Sequence, residues 1–286
     1  MKITVPATSA NLGCGFDSVG IALELYLELE VLEKCEKWHI YHELDDEIPC
    51  DETNLIIQTA LGLFPDMQPH KIKMTSRIPL ERGLGSSSSA IVAGIELACA
   101  LGKNMSREEK LLYACQIEGH PDNVAPAILG GLVVGAYNGT ELVYTKLDFP
   151  NCEIVAYIPD YKVSTTDARK VLPDTFSRRD AVLASAIGNV MVASLARGDI
   201  QLAGKMMEMD LFHEKYRSEL IPELPHVRAI AKQHGAYATY LSGAGSTILT
   251  FAPNDTATEL ARIFRTYDGV TVMNLKIDST GARIKT

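Results

Sequence analysis

The segment from Pro79 to Ala90 has the residue types of a phosphate-binding loop. Two glycines and four consecutive serines stand directly before an apolar stretch, 91–101, that is compatible with a helix. Glycine lets the backbone approach a ligand closely, and the first turn of a helix has N–H groups without partners and a partial positive charge. A helix that begins with such a loop therefore provides a phosphate site, and we predict that this segment binds a polyphosphate.

Two common phosphate loops do not fit this segment. A Walker A loop ends in Gly-Lys-Ser/Thr, and no lysine lies between Lys73 and Lys103. A dinucleotide fingerprint counted from Gly83 would need a third glycine where Ser88 stands. A plain Gly/Ser linker is the remaining alternative, but a linker does not require an ordered Gly-Leu-Gly-Ser-Ser sequence before a helix.

Two further segments combine amide or carboxylate side chains with glycine. In 6–17, Asn11 offers both a donor and an acceptor and Asp17 offers a charge, so that the pair could hold an amine and a hydroxyl. In 118–127, Glu118 ends a predicted helix, where a carboxylate beside the phosphate loop could bind Mg²⁺. From the residue types alone, an ordered turn is the simpler interpretation of the first segment, and a helix cap with a turn is the alternative for the second.

A glycine turn and two arginines complete the set of candidate residues. The segment 241–248 lies between two predicted strands, and its glycines, Gly243 among them, could bring backbone N–H groups to a substrate or to phosphates. An ordinary glycine turn is equally compatible with this segment. Arginine is the natural partner of a substrate carboxylate because its guanidinium donates two parallel hydrogen bonds, and Arg169 and Arg217 are the candidates, although most surface arginines are only solvated.

The composition excludes several classes of protein. The 286 residues carry a net charge of −9, which argues against nucleic-acid binding because that function needs a basic patch. The six cysteines include no Cys-x-x-Cys pair, so neither a zinc site nor thioredoxin chemistry is indicated. The N-terminus lacks a signal-peptide core, and the longest apolar runs look too short to span a bilayer. We expect a cytoplasmic protein with free thiols and no membrane partner.

The hydrophobic pattern predicts an α+β protein of two halves, 1–150 and 151–286. Strands are predicted at 2–5, 23–32, 38–43, 72–78, 130–137, 141–146, 153–158, 237–241, 247–251 and 270–277. Helices are predicted at 54–64, 86–101, 106–117, 177–196, 200–209, 226–234 and 256–267. We expect 38–43 to form a hairpin with 23–32, and Asn138-Gly139 to form the turn of a second hairpin.

Four segments, in the same order along the chain, resemble the homoserine kinase family of the GHMP small-molecule kinases. The phosphate loop is similar to the GHMP pattern Pro-x-x-x-Gly-Leu-Gly-Ser-Ser-Ala, with Ser88 in place of the alanine. Segments 6–17 and 118–126 resemble the N-terminal and middle signatures of the homoserine kinases. The segment 241–248 resembles the third GHMP signature, with Ala244 and Ser246 replacing a serine and a proline. The sequences around both candidate arginines also resemble homoserine kinase segments.

The resemblance implies a fold and a reaction. The fold would be the GHMP kinase fold, with an N-terminal ribosomal-protein-S5-like domain and a C-terminal ferredoxin-like domain. The reaction would be transfer of the γ-phosphoryl group of ATP, with Mg²⁺, to the side-chain hydroxyl of L-homoserine. The product would be O-phospho-L-homoserine, on the way to threonine. A homodimer is one assembly that the sequence leaves open.

The resemblance also implies a role for each candidate residue. ATP would lie on the loop formed by Pro79, Leu80, Glu81, Arg82, Gly83, Leu84, Gly85, Ser86, Ser87, Ser88 and Ser89. L-Homoserine would contact Asn11, Asp17, Asn123, Arg169, Arg217 and Gly243. Glu118 would bind Mg²⁺ with Ser87 or a neighbouring serine, and Glu118 and Asn123 would be the catalytic residues.

The middle segment bears on the mechanism. Several other GHMP kinases have an aspartate, proposed as the general base, where Asn123 stands, but an amide cannot take a proton at neutral pH. We therefore expect catalysis by alignment and charge neutralisation, with the substrate proton leaving to a γ-phosphate oxygen or to water. A GHMP kinase acting on another small alcohol, such as mevalonate or a sugar, and a nucleotide-binding sensor without catalysis are the alternatives.

Overall fold

The computed structural model describes residues 1–285, which form two β-sheets with helices packed around them. The strands are β1 (Lys2–Ala10), β2 (Val19–Lys34), β3 (His39–Tyr41), β4 (His70–Ser76), β5 (Leu132–Tyr137), β6 (Leu142–Leu147), β7 (Glu153–Pro159), β8 (Ala238–Leu241), β9 (Ile248–Ala252), β10 (Val270–Leu275) and β11 (Arg283–Lys285). The helices are α1 (Leu55–Leu63), α2 (Ser86–Ala100), α3 (Arg107–Glu118), α4 (Pro121–Leu129), α5 (Thr165–Lys170), α6 (Arg178–Ala196), α7 (Ile200–Met207), α8 (Glu214–Arg217), α9 (Leu224–Gln233) and α10 (Asn254–Phe264).

The first sheet has seven strands and is built around the long strand β2. Its order is β11-β1-β2-β4-β3, with β5 pairing with the beginning of β2 and β6 pairing with β5. The second sheet has four strands in the order β10-β7-β9-β8, all antiparallel. The α+β content and the hairpin from β5 to β6 around Asn138-Gly139 confirm the sequence prediction.

The predicted hairpin between 23–32 and 38–43 is wrong. The strand β3 pairs in parallel with β4, with Ile40 opposite Ile72. Both edges of β2 are already occupied, one by β1 and the other by β4 and β5. Alternation of apolar and polar residues tells which face of a strand is buried but does not tell which strand is its neighbour.

Several elements were longer than expected or were missed. The strand β1 continues through Pro6 to Ala10, with a register shift at Pro6/Ala7, where we expected a loop. The helix α4, which follows α3 after the cap at Gly119, was not predicted; Pro121 stands at its beginning, where a missing N–H costs nothing. The short strand β11 was not predicted; it pairs with β1, so that the end of the chain joins the first sheet.

The hydrophobic core does not follow the predicted boundary near residue 150. A single cluster of buried side chains contains Val5 and Leu97 together with Ile154, Met191 and Tyr240. A smaller cluster, which includes Ile221, Leu260 and Phe264, lies within the second sheet and its helices. The division into 1–150 and 151–286 stays a prediction.

The helix α6 is an exception to the expectation about apolar runs. By length and composition alone, its 19 residues with a mean hydropathy of 1.2 could cross a membrane. The core helix of a globular protein meets the same two criteria, and Ile187, Met191 and Leu195 of α6 are buried in the main core.

Candidate active site

Two cavities open on either side of the loop that precedes α2. The first, which we call the apolar cavity, has a volume of about 320 Å³ and is lined by residues such as Leu44, Ile48 and Met74. The second, which we call the polar cavity, has a volume of about 350 Å³ and is lined mainly by charged and polar groups. Glu81, Ser86 and Ser87 line both cavities, so the two spaces meet at the predicted phosphate loop.

The phosphate loop presents backbone N–H groups at this junction. The first residue before α2, Gly85, has φ +67°, and no side chain caps the helix. Ser89 N–H donates to the Gly85 carbonyl, whereas the N–H groups of Ser86, Ser87 and Ser88 have no protein partner within residues 1–285. These free donors, at the positive end of a 15-residue helix, favour an anion.

Glycine is required in this loop for conformation and for space. Gly83 and Gly85 both have positive φ, +74° and +67°. A Cβ on Gly83 would lie 2.1 Å from the Ser242 carbonyl oxygen, and a Cβ on Gly85 would lie 2.0 Å from Thr8 Oγ1. Any side chain at either position would therefore displace the loop.

Part of the predicted ATP loop binds protein instead of facing a cavity. The Arg82 Nε donates to the Pro159 carbonyl at 3.0 Å, and the Ser89 hydroxyl donates to the Pro6 carbonyl at 3.0 Å. Leu84 is fully buried. Neither these three residues nor Pro79 line the two cavities; they hold the loop, whereas Leu80, Glu81, Gly83 and 85–88 face the open space.

The structure brings all six predicted substrate residues together in the polar cavity. Asn11, Asp17, Asn123, Arg169, Arg217 and Gly243 all line it, together with Glu118. Two of these form an ion pair, because Arg169 donates to Asp17 through Nη2–Oδ1 at 2.9 Å and Nη1–Oδ2 at 3.2 Å. A guanidinium and a carboxylate therefore face each other across the entrance to this cavity.

Arg217 differs from Arg169 because it is buried and has no carboxylate partner within residues 1–285. Its side chain is buried, and its donors are occupied by neutral acceptors: the Ala168 carbonyl, the Gly243 carbonyl at 2.8 Å and His213 Nδ1 at 3.1 Å. Within residues 1–285 no carboxylate lies within ion-pair distance of it. Burial, followed by repulsion from Arg169, lowers the pKa of Arg217 to about 10, which still leaves it charged at neutral pH.

Aromatic and histidine side chains support the two arginines. The Phe16 ring lies 5.6 Å from the Arg217 guanidinium and 5.9 Å from that of Arg169, and its face attracts both cations. The ring of His213 stacks on Phe16 with centroids 5.3 Å apart. His213 Nε2 lies 2.9 Å from the Gly13 carbonyl, so Nε2 must carry the proton and Nδ1 accepts from Arg217.

The two asparagines are fixed by their neighbours. Asn11 Oδ1 accepts from the Asp17 N–H at 3.0 Å, and its Nδ2 donates to the Gly243 carbonyl at 3.3 Å. Asn123 Oδ1 accepts from the Thr8 hydroxyl at 2.8 Å, and its Nδ2 donates to Asp122 Oδ1 at 3.1 Å. One N–H of the Asn123 amide is left to point at a ligand.

Acidic groups face the phosphate loop from the end of α3 and the start of α4. Glu118 is half-buried, and this partial loss of solvent raises the pKa of its carboxyl; Ser88 Oγ donates to it at 2.7 Å. His120 Nδ1 lies 2.6 Å from Asp122 Oδ1. Burial opposes protonation of His120, but the hydrogen bond and charge of Asp122, with Asp17 and Glu118, raise the pKa of His120 to about 8.

Comparison with known proteins identifies the family. The model for the GHMP kinase N-terminal domain matches residues 54–131, and the GHMP kinase C-terminal model matches 191–268. The chain belongs to the homoserine kinase family of GHMP kinases. It is 53% identical to a homoserine kinase of Listeria innocua over 99% of both chains, and 52% identical to one of Streptococcus gordonii over the full length of both.

The fold is that of the GHMP kinases as well. The structure of a homoserine kinase from Cytophaga hutchinsonii superposes with a TM-score of 0.87 and 30% identity, covering 99% of this chain and 96% of that one. A mevalonate kinase at 17% identity shares the fold, with a TM-score of 0.72. The fold class inferred from four short segments is therefore confirmed.

Several site residues of this GHMP kinase were missed in the sequence. His213 and Phe16 support the arginines, and Thr8 holds Asn123. The apolar cavity was missed entirely, because its wall 44–49 comes from a segment without regular structure. A signal existed for His213, which stands four residues before Arg217 and therefore within reach of it in a helical turn.

Proposed function

We propose that this chain transfers the γ-phosphoryl group of ATP to the side-chain hydroxyl of L-homoserine in the polar cavity. Membership of the family supports an ATP-dependent kinase that acts on an alcohol. The roles proposed for individual residues are those that the family resemblance implies, and the geometry of the two cavities supports them.

The observation that carries the choice of substrate is the arrangement of Arg217, Arg169 and Asp17. Arg217 is a buried cation without a carboxylate partner in residues 1–285, so a substrate carboxylate would supply its missing counter-charge. Arg169 and Asp17 are paired with each other. A zwitterionic amino acid can replace both halves of this pair, its carboxylate binding Arg169 as well as Arg217 and its ammonium binding Asp17. An alcohol that lacks either charge would leave one member unpaired.

The apolar cavity suits the base of the nucleotide. Its wall is formed by apolar side chains from the segment 44–49, from α1 and from β4, which can cover a flat aromatic ring. The phosphates would then reach the N–H groups of Ser86, Ser87 and Ser88, where the two cavities meet. In this arrangement the γ-phosphate points towards the polar cavity.

The oxygen donors beside the phosphate loop fit a magnesium ion. Glu118 provides a half-buried carboxylate and Ser88 a hydroxyl that contacts it at 2.7 Å, and Mg²⁺ prefers few protein oxygens of this kind. We assign Glu118 and Ser88 to the ion; a role for Ser87 remains the prediction made from the sequence. When bound, the ion would neutralise charge on the β- and γ-phosphates.

Asn123 is suited to orient the substrate hydroxyl but not to deprotonate it. Its carbonyl oxygen accepts from Thr8 and one N–H donates to Asp122, so the second lone pair and the second N–H remain for the substrate hydroxyl, and neither can take up its proton at neutral pH. The nearby Asp122 carboxylate is engaged with both His120 and Asn123. We therefore propose that alignment and charge neutralisation drive the transfer and that the hydroxyl proton leaves to a γ-phosphate oxygen or to water.

An ADP-release assay with a panel of alcohols tests the proposed substrate. L-Homoserine should give rapid turnover with MgATP. The analogue 4-hydroxybutyrate lacks the ammonium proposed to bind Asp17, and 3-aminopropanol lacks the carboxylate proposed to bind Arg169 and the buried Arg217. Each should react at least about 10²-fold less efficiently, because a charged group of the site is left without its ligand. Faster turnover of mevalonate or a sugar would favour the rival kinase, and nucleotide binding without turnover of any alcohol would favour the sensor.

The location in the cell and the state of assembly remain predictions. The cytoplasmic location and the homodimer rest on the sequence interpretation alone, and neither is needed for the proposed reaction. Size-exclusion chromatography with light scattering at several protein concentrations would measure the assembly.

A further inference from the structure

One lysine lies in the wall of the apolar cavity, and its surroundings are acidic. Lys162 is the only basic residue among the cavity-lining residues within 1–285, whereas Asp45, Glu47 and Glu81 all line the same space. A nucleotide carries several negative charges, so an acidic wall would repel it unless a cation stands between them. Lys162 is the group that can do this from inside the cavity.

Lys162 joins two walls of the cavity. Its Nζ lies 3.0 Å from Asp45 Oδ2 and 3.5 Å from Glu81 Oε2. Asp45 belongs to the irregular segment that covers the apolar cavity, and Glu81 belongs to the phosphate loop. The pair with Asp45 raises the pKa of Lys162 above its usual value, so the ammonium remains charged at neutral pH.

The backbone around Lys162 is fastened to the phosphate loop. The Val163 N–H donates to the Glu81 carbonyl at 3.1 Å, and Arg82 donates to the carbonyls of Pro159 and Asp160. On the other side, the Ser246 hydroxyl donates to the Tyr161 carbonyl at 2.9 Å. These contacts keep the Lys162 backbone in place while its side chain, which is 43% exposed, can still change partner.

The position of Lys162 coincides with the route of the phosphates. Glu81 is one of three residues that line both cavities, and Lys162 lies within ion-pair distance of it. A nucleotide with its base in the apolar cavity and its γ-phosphate towards the polar cavity must pass this junction. Its phosphates would be stronger partners for the ammonium than Asp45, which is partly solvated.

We propose that Lys162 binds the phosphates of the nucleotide and exchanges its contact with Asp45 for them when ATP enters. Asp45 therefore competes with the nucleotide for the same ammonium. This inference rests on the proposed function, since it assumes that the apolar cavity holds the nucleoside part of ATP.

Equilibrium binding of nucleotides to K162A tests the proposal without the phosphoryl-transfer reaction. The dissociation constant for ATP and ADP should rise about tenfold at low salt, while that for adenosine, which has no phosphate, should stay within about twofold. K162R should retain most of the affinity because it keeps the charge. K2A is the control, since Lys2 also forms an exposed ion pair, with Glu28 at 2.9 Å, but lines neither cavity.

The variant D45N should change the affinity for ATP in the opposite direction from K162A. Removing the competing carboxylate should lower the ATP dissociation constant by about two- to fivefold, and this gain should disappear in the double variant D45N/K162A. Equal ATP binding by wild type and K162A, or equal losses for ATP and adenosine, would overturn the proposal. These outcomes are independent of the substrate assay, because the wild-type protein could bind ATP through Lys162 and still fail to phosphorylate homoserine.

Discussion

The two halves of the candidate active site offer different kinds of groups to the ligands that we propose for them. At the end of the apolar cavity, the phosphate loop offers free N–H groups of Ser86, Ser87 and Ser88, and most side chains in the wall of this cavity are apolar. In the polar cavity, recognition falls to charged side chains such as Asp17, Arg169 and Arg217. The phosphate loop is local in the sequence, although the rest of the apolar cavity is lined by residues between Leu27 and Lys162. The polar cavity is assembled from segments that are about 150 to 200 residues apart.

This difference predicts which kind of substitution should weaken ligand binding in each half of the site. A backbone site depends on conformation, so substitution of a glycine should damage nucleotide binding while leaving the amino-acid site intact. A site of paired charges depends on single side chains, so removal of one charge should damage amino-acid binding while leaving nucleotide binding intact. Variants that affect both ligands equally would show that the two halves are not separable.

Replacing Arg217 should have the largest effect. R217M removes the buried cation that we assign to the substrate carboxylate, so the KM for L-homoserine should rise roughly 10²- to 10³-fold, the equivalent of about 3–4 kcal/mol. The dissociation constant for ATP should change little. Steady-state kinetics and nucleotide titration measure the two quantities.

The exposed Arg179 at the start of α6 supplies a control for this variant, since R179M makes the same change away from the site. Arg217 also binds the carbonyls of Ala168 and Gly243, so circular dichroism must show that R217M remains folded. A folded R217M that loses ATP affinity to the same degree would contradict the separation of the two halves.

Replacing Gly85 should have the next largest effect, on the other ligand. In G85A a Cβ would meet Thr8 Oγ1 at 2.0 Å in a residue with φ +67°, which costs roughly 1–2 kcal/mol for the conformation alone. The KM for ATP should rise at least about tenfold. The KM for L-homoserine should rise less, by about threefold, because the displaced Thr8 also holds Asn123. Initial-rate kinetics with each substrate varied in turn measures both values.

Gly139 is a matched control for the conformation. It has φ +96° but nothing within 4 Å of its Cβ position, in the turn between β5 and β6. G139A should therefore lower the melting temperature without changing either KM. If G139A and G85A had the same kinetic effect, the loop would not be binding the nucleotide through its backbone.

Replacing Asn123 should have a moderate effect on turnover. N123A removes one orienting hydrogen bond, which is worth about 1–1.5 kcal/mol, so kcat should fall about tenfold. The shape of the pH–rate profile should stay as in wild type, because no general base is lost. Loss of all turnover with unchanged KM for both substrates would contradict a purely orienting role.

Replacing Ser242 should have the smallest effect. It tests whether the contact between the two sheets keeps the phosphate loop in position for the nucleotide. Ser242 Oγ lies 2.6 Å from the Gly83 carbonyl oxygen and 2.8 Å from Ser9 Oγ, and all three groups are at the contact between the two sheets. S242A should lower the free energy of unfolding by about 1–3 kcal/mol and raise the KM for ATP about two- to threefold. Denaturant titration and kinetics measure these changes.

The buried Ser194 in α6 is the control, since its hydroxyl donates only to the Val190 carbonyl of the same helix. S194A should destabilise the protein without affecting the KM for ATP. An equal rise of the KM in both variants would mean that general loosening of the fold, and not the position of Gly83, controls nucleotide binding.

Much of the candidate site could be predicted because it lies in short segments of unusual composition. The glycines and serines of 83–89 indicate a phosphate loop on physical grounds, and the six substrate residues implied by family resemblance all line one cavity. The apolar cavity could not be predicted, since nothing in the composition of 44–49 marks it as the wall of a site. The helix α4 was missed because the segment 118–127 was interpreted for its polar residues instead of for Pro121, which is typical of a helix start.

Strand partners were the least predictable part of the fold. The alternation in 23–32 correctly indicated a strand, yet its neighbours, and the parallel pairing of β3 with β4, depend on which edges were already occupied. The return of β11 to the first sheet likewise joins Arg283–Lys285 to Lys2–Thr4. Three residues carry too little pattern to predict such a pairing.

The sequence alone determined which chemical groups are available to the site: a glycine–serine loop before a helix, a carboxylate at the end of α3, two asparagines and two arginines. The tertiary structure decided which of these groups are buried, which are paired and which are left open to a ligand. Arg217 shows the reason, because the desolvation and the neutral partners that leave it without a counter-charge come from α5, from the turn after β8 and from loop 11–17. These neighbours are distant in the chain, and only folding brings them within hydrogen-bond distance.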